Sequence, residues 1–143
     1  MVRTLQAAYP ETAITWIIGT TEHRLLEGAD GIEFITFDKS KGLKSWFDVR
    51  RKLKNRHFPL LLNMHASMRA NFVSMAINAR RRIGFDRARA RDYQWLFTNE
   101  RIPAQKQQHV MDGLFGFTSY LGIEERVERW DIPIDEADRE YAS

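Results

Sequence analysis

Three short apolar runs constrain the fold of this chain more than any other feature. Ala13 to Ile18, Ile32 to Phe37 and Phe58 to Met64 are rich in β-branched, aromatic or leucine side chains, and each is bounded by polar or turn residues. Runs of this length are too short for free-standing helices and have the composition of buried strands. Each is followed by a stretch whose apolar residues recur every three or four positions. Strands alternating with helices at this spacing imply βαβ units, and hence an α/β fold with a Rossmann-like, mostly parallel sheet flanked by helices.

The remaining elements follow from the same signals. Val2 to Tyr9, closed by Pro10, reads as the tail of a helix, and Thr21 to Glu27 as a short helix carrying Leu25 and Leu26. Leu43, Trp46, Phe47 and Leu53 keep a helical spacing from Leu43 to about Asn55, with Lys44, Asp48, Arg51, Lys52 and Lys54 opposite. Met68, Phe72, Met75, Ala76 and Ala79 suggest another helix, and Arg82 to Phe85 a fourth strand. An aromatic stretch, Tyr93 to Phe97, leads on to His109–Leu121, where Val110, Leu114, Phe117 and Leu121 form one stripe ended by Gly122. Pro59 should lie at the start of its strand. With 143 residues and 43% apolar content, one domain is expected over 1–123. Residues 124–143 are acidic and lose periodicity, so they read as a linker or tail.

Charge is strongly polarised. Residues 38–110 hold 17 Lys+Arg against 5 Asp+Glu, whereas both flanking segments are acidic. Six arginines fall within twelve residues, Arg80, Arg81, Arg82, Arg87, Arg89 and Arg91. Such a middle calls for an anionic partner: nucleic acid, a phosphorylated small molecule or a lipid headgroup. Guanidinium forks fit phosphate and carboxylate two bonds at a time. There are no cysteines, which removes disulfides, thiolate metal sites and cysteine nucleophiles, and which is compatible with a reducing cytosol. No apolar run approaches the roughly 20 residues that cross a bilayer. A soluble, cytoplasmic protein is therefore expected.

In a parallel α/β sheet, ligands collect beyond the carboxyl ends of the strands. Lys39 and Lys41 follow the second strand, His65, Ser67 and Arg69 the third, and Asp86, Arg87, Arg89 and Arg91 the fourth. Three loops would thus deliver cations to one rim. By the same placement, Arg80, Arg81 and Arg82 belong to the opposite end of the fourth strand and read as structural or surface residues. His65 is either a ligand contact or a satisfied structural histidine. His23 and His57 need no role. Histidine and carboxylate spacing supports no metal site, and the glycine-rich dinucleotide, phosphate-loop and serine-elbow motifs are missing. A basic nucleic-acid-binding α/β module is the alternative that the pI of about 9.4 permits. Against it, the arginines sit on separate strand-exit loops and form no reader motif. The basic face of Leu43–Asn55 can lean toward anionic lipid headgroups or be a solvated helix face, the simpler reading.

Asn63-Met64-His65-Ala66-Ser67-Met68-Arg69-Ala70, Ala79-Arg80-Arg81-Arg82-Ile83-Gly84-Phe85-Asp86 and Gln107-Gln108-His109-Val110 together resemble the amino-terminal half of lipopolysaccharide heptosyltransferases, in glycosyltransferase family 9. Val2 to Glu11 is similar to that family's first helix, and Phe37-Asp38-Lys39-Ser40-Lys41-Gly42-Leu43 to its basic loop. The order and spacing match over essentially the whole chain. The resemblance implies one half of a two-domain GT-B enzyme, in which this half binds the phosphorylated, Kdo-bearing lipid A acceptor. The other half would bind ADP-heptose. It implies inverting transfer with no metal or cofactor, at the cytoplasmic face of the inner membrane, with peripheral membrane contact. The acceptor contacts it points to are Lys39, Lys41, His65, Arg69, Arg87, Arg89 and Arg91.

The departures carry expectations too. The family's first strand and the Gly-Asp turn that supplies the presumed base have no counterpart here, so no residue is assigned as catalytic. Ile132-Pro133-Ile134-Asp135 resembles the bridge into the donor domain. The chain alone is therefore expected to be inactive. Without a first strand, Ala13–Ile18 and Phe58–Met64 should lack the neighbour between them. Three outcomes are open: the strands close up, another chain such as a second copy fills the gap, or upstream residues do.

Overall fold

In the computed structural model, which describes residues 1–104 and 109–129, five helices and five strands alternate along the chain except that β5 follows β4 through a short 3-10 turn at Gln94–Leu96. The helices are α1 (Val2–Ala8), α2 (Thr20–Leu26), α3 (Leu43–Leu53), α4 (Met68–Ser74) and α5 (Val110–Tyr120). The strands are β1 (Ile14–Gly19), β2 (Ile32–Phe37), β3 (Phe58–Leu62), β4 (Ala79–Gly84) and β5 (Glu100–Arg101). Every strand pair is parallel, as the βαβ reading requires. The bridge motif 132–135 and Gln107-Gln108 lie outside the described residues.

The strands form two ladders, β2-β1 and β3-β4-β5, and β1 shares no hydrogen bonds with β3. Of the three outcomes expected for the gap, closing up is therefore not the one adopted. The two ladders are nonetheless held side by side. At the strand starts, the Arg56 guanidinium donates to Glu33 at 2.8 Å and to the Thr15 hydroxyl at 2.9 Å, and lies 5.0 Å from the Phe58 ring centroid. Within the first ladder, Lys39 beyond β2 donates to Glu22 of α2 at 3.2 Å. Glu22 is held below the usual carboxylate range by its own backbone amide, then by Lys39, with a smaller contribution from His65 beyond β3. Pro59 fits this open edge. The Phe58 amide donates toward β4, to Asn78, so strand alternation turns the donorless Pro59 nitrogen away from β4.

Two apolar cores pack on the sheets. One joins Ile35 and Phe37 of β2, Val49 and Leu53 of α3, and Val73, Ala76 and Ile77 at α4, with Ile17, Phe58 and Leu61 packed against it. It spans both ladders. The other sets Phe117 of α5 against Ile83 and Ile102, with the Phe85 ring edge-on to Phe117 at 5.1 Å.

Three elements differ from expectation. Helix α4 ends at Ser74, and β4 begins at Ala79, three residues before the strand read from apolar pattern alone. The arginine triplet masks the strand because its outer edge is capped by a side chain: Asn99 accepts from the Arg82 amide at 2.8 Å and donates to Arg80 carbonyl at 2.9 Å. The α5 stripe is also shifted. Val110 is exposed, whereas Phe117 is fully buried with Leu121 packed against its cluster, and Gly113, Phe115 and Gly116 are buried on the adjoining face. Residues 124–129 fold back along α5 and α1. Arg126 pairs with Asp112 at 2.9 Å and covers the Phe115 ring, and the Val127 amide donates to the buried Thr4 hydroxyl.

Candidate anion-binding site

At the exits of β3 and β4 the chain must turn sharply, and a buried amide network sets the turn. Asn63 donates to Asn71 at 3.0 Å, Asn71 donates to the Asp92 carbonyl at 2.9 Å, and Gln94 donates to the Asn63 carbonyl at 2.9 Å. Gln94 also accepts from the Phe85 amide at 2.9 Å. Asn71 and Gln94 are fully buried and Asn63 nearly so. Buried amides satisfied in this way fix geometry, because any slip leaves a polar group without a partner. Asp92 and Tyr93 adopt left-handed backbone conformations, at φ 52° and 57°, uncommon for residues with a Cβ. The Asp92 carboxylate caps α4, accepting from the Met68 amide at 2.9 Å, and Ser67 caps the same helix through the Ala70 amide at 3.2 Å. Arg91 and Arg69, next in sequence to the bonded residues Asp92 and Met68, are carried by one joint.

The residues expected at this rim fall into three groups. Arg69, Arg87 and Arg91 are exposed, and their guanidiniums have no partner among the described residues. His65 is exposed beside them on the β3 exit. Lys39 and Lys41 are each paired with an acid, Lys39 with Glu22 at 3.2 Å and Lys41 with Asp38 at 3.4 Å, both in water-exposed settings. Lys41 lines a separate pocket of about 250 Å³ with Thr20, Thr36, Ser45, Asp48, Arg51 and Lys52. Arg89 is different again. Its guanidinium is half-buried, bonds the buried Asp86 carboxylate and lies 5.3 Å from the Phe85 ring centroid.

Asp86 organises this loop further by accepting from the Ala88 and Arg89 amides at 3.0 and 3.3 Å. Gly113 of α5 makes room for the bridge: a Cβ there would stand 2.8 Å from Arg89 Nη1. The Asp86–Arg89 bridge and the Asn63–Asn71–Gln94 network were invisible as pairs in the sequence. Buried Asn and Gln next to apolar runs were the available signal, since such side chains require partners.

The other end of β4 is built for structure. Arg81 and Arg82 point to opposite faces of the strand. Arg81 forks onto Glu100 with two bonds of 2.7 Å, which lowers the Glu100 carboxyl and raises the guanidinium. Arg82 donates to the carbonyls of Ser74, Ile77 and Phe97 at 2.6, 2.9 and 2.9 Å. Burial lowers its pKa, and among the described residues no anion pairs with it.

Comparison with known proteins gives a consistent result. Residues 46–143 match the profile of glycosyltransferase family 9 (heptosyltransferase). The chain is 39% identical over 142 residues to the lipopolysaccharide core heptosyltransferase OpsX of Haemophilus influenzae, covering 99% of this chain and 41% of that protein. Its fold superposes on the family 9 glycosyl transferase from Veillonella parvula with a TM-score of 0.80 at 21% identity, over 99% of this chain and 41% of that one. It superposes on E. coli heptosyltransferase WaaC, solved with ADP-2-deoxy-2-fluoro heptose, with a TM-score of 0.72 at 17% identity, over 90% and 44% of the two chains. The chain thus spans about two fifths of the length of these relatives.

Proposed function

This chain belongs to glycosyltransferase family 9, and from that premise we propose that it is the acceptor-binding part of a heptosyltransferase of lipopolysaccharide core biosynthesis. The observation that supports this most is a set of cations without a partner among the described residues, Arg69 on the first turn of α4 and Arg87 and Arg91 on the β4 exit loop, joined through Asp92. A charge left without a protein partner on a rigid rim is available to a ligand, and a phosphorylated, Kdo-bearing lipid A offers phosphates and carboxylates that suit guanidinium forks. His65 stands on the same rim as a further donor. Lys39 and Lys41 contribute by exchanging an exposed acid for the acceptor, a small loss because such ion pairs are weak in water. Arg89 acts through Asp86, holding the loop that presents Arg87 and Arg91.

In this reading the donor, ADP-heptose, is bound by a second domain outside these residues, and the sugar is transferred between the two at the cytoplasmic face of the membrane. None of the described residues is given the role of catalytic base. Two measurements test the proposal. Purified chain should bind Kdo-lipid A in a titration and lose that binding on charge reversal at Arg69, Arg87 and Arg91. It should not transfer heptose from ADP-heptose on its own. Turnover by the isolated chain, or tight salt-sensitive DNA binding without acceptor binding, would refute it.

A further inference from the structure

At the exit of β2 lies a polar pocket of about 250 Å³, lined by none of the exposed arginines of the β3 and β4 exits. Its cations are Lys41, Arg51 and Lys52, and its acids are Asp38 and Asp48. Thr20, Thr36 and Ser45 complete the lining with hydroxyl residues, and no aliphatic or aromatic residue takes part. Pockets for small ligands begin at about 300 Å³, so this one admits a group of monosaccharide size and not a whole lipid.

The backbone around the pocket is firmly held. Ser45, Asp48 and Lys52 stand three and then four positions apart on α3, which sets them on one stripe of that helix. Ser45 is 4% exposed, and its hydroxyl accepts from the Asp38 amide at 2.8 Å, pinning the start of the loop to the helix. The Asp38 carboxylate in turn accepts from the Ser40 amide at 2.9 Å and from the Ser40 hydroxyl at 2.6 Å, closing the turn that carries Lys41. Two of the three cations are paired inside the pocket, Lys41 with Asp38 at 3.4 Å and Arg51 with Asp48 at 2.8 Å. These pairs are exposed to water and weak, hence open to exchange. Lys52 has no partner among the described residues.

That balance of charge selects a class of ligand. A bare anion that drew Lys41 and Arg51 to itself would leave two carboxylates facing it without their cations, a like-charge arrangement that costs energy. A neutral sugar would leave Lys52 unused. A molecule with a phosphate for the cations and hydroxyls that donate to Asp38 and Asp48 satisfies every group it disturbs. We infer that this pocket binds a sugar phosphate, with Arg51 and Lys52 on the phosphate and the two carboxylates accepting from the sugar hydroxyls. The inference does not rest on the role of the exit arginines in acceptor binding; only Lys41 belongs to both readings.

Calorimetric titration of the chain with glucose 1-phosphate and with glucose 6-phosphate tests it. At least one should bind saturably, and at least about tenfold more tightly than glucose or inorganic phosphate, since each of those leaves groups unmatched. Arg51→Ala/Lys52→Ala should weaken that binding at least about tenfold with the melting temperature unchanged. Arg69→Glu/Arg87→Glu/Arg91→Glu should bind the sugar phosphate as the unaltered chain does. Adding Kdo-lipid A then identifies the source of the group. Displacement of the sugar phosphate assigns the pocket to a phosphosugar of the acceptor, and undisturbed binding assigns it to a free one. Saturable binding of neither sugar phosphate overturns the inference. So does inorganic phosphate bound equally tightly, or binding that survives Arg51→Ala/Lys52→Ala and is lost with the exit arginines.

Discussion

The two ends of β4 carry the same residue type in opposite circumstances. At its start, Arg81 grips Glu100 with two bonds and Arg82 satisfies three carbonyls that close α4 and the 93–97 turn. Beyond its exit, Arg87 and Arg91 have no partner among the described residues, and Arg69 beside them is equally unpartnered. Between them Arg89 is consumed by Asp86. A guanidinium with its donors occupied contributes to folding, whereas one held exposed by a rigid backbone is a binding group. Pairing, rather than charge density, separates the two roles within one twelve-residue cluster.

Substitutions at the two ends should therefore give opposite phenotypes. The largest effect on folding is expected for Arg82→Ala, which leaves the Ser74, Ile77 and Phe97 carbonyls without their donor and should cost about 3 kcal/mol, read as a urea midpoint. Next, Asp86→Asn should loosen the exit loop. It keeps the shape but removes the charge opposite the half-buried Arg89, so stability should fall by about 2 kcal/mol and acceptor affinity with it. Arg87→Ala and Arg91→Ala should each leave stability within about 0.5 kcal/mol of the parent, while each lowers acceptor affinity roughly tenfold in a titration. Arg81→Ala should barely move the urea midpoint, because its pair with Glu100 is exposed to water.

A pH series sharpens the same contrast. Glu33, through Thr15 and then Arg56, and Glu100, chiefly through Arg81, are both held below the ordinary carboxylate range. A depressed carboxyl stabilises the fold above its unfolded pKa, and that contribution disappears as pH falls through the folded value. Urea midpoints should therefore hold from neutrality down to about pH 5 and drop below about pH 4. Glu33→Gln should flatten part of that decline. Mutating the exit arginines should leave the profile unchanged.

How much of this was legible from sequence varied with the physics involved. The parallel α/β fold and the first three strands were plain, because apolar runs such as Ile32–Phe37 must be buried whatever surrounds them. The beginning of β4 was hidden, since Asn99 replaces a neighbouring strand and lets three arginines stand at an edge. The α5 stripe held at Phe117 and Leu121 and failed at Val110, while the buried Gly113, which leaves room for Arg89, is invisible to apolar periodicity. The rim was predicted as a set of strand-exit cations. Their division into paired and unpaired members was not, for it depends on long-range partners: Glu22 for Lys39, and the Asn63–Asn71–Gln94 network for the loop carrying Arg91.

The central claim is that the exit trio holds the anionic acceptor without supporting the fold. Titrating an Arg69→Glu/Arg87→Glu/Arg91→Glu chain with Kdo-lipid A, alongside its thermal melt, tests this directly. The melting temperature should be unchanged and affinity should fall at least about a hundredfold, as expected for several charge-assisted contacts removed together. Binding equal to that of the unaltered chain, with the fold intact, would contradict it.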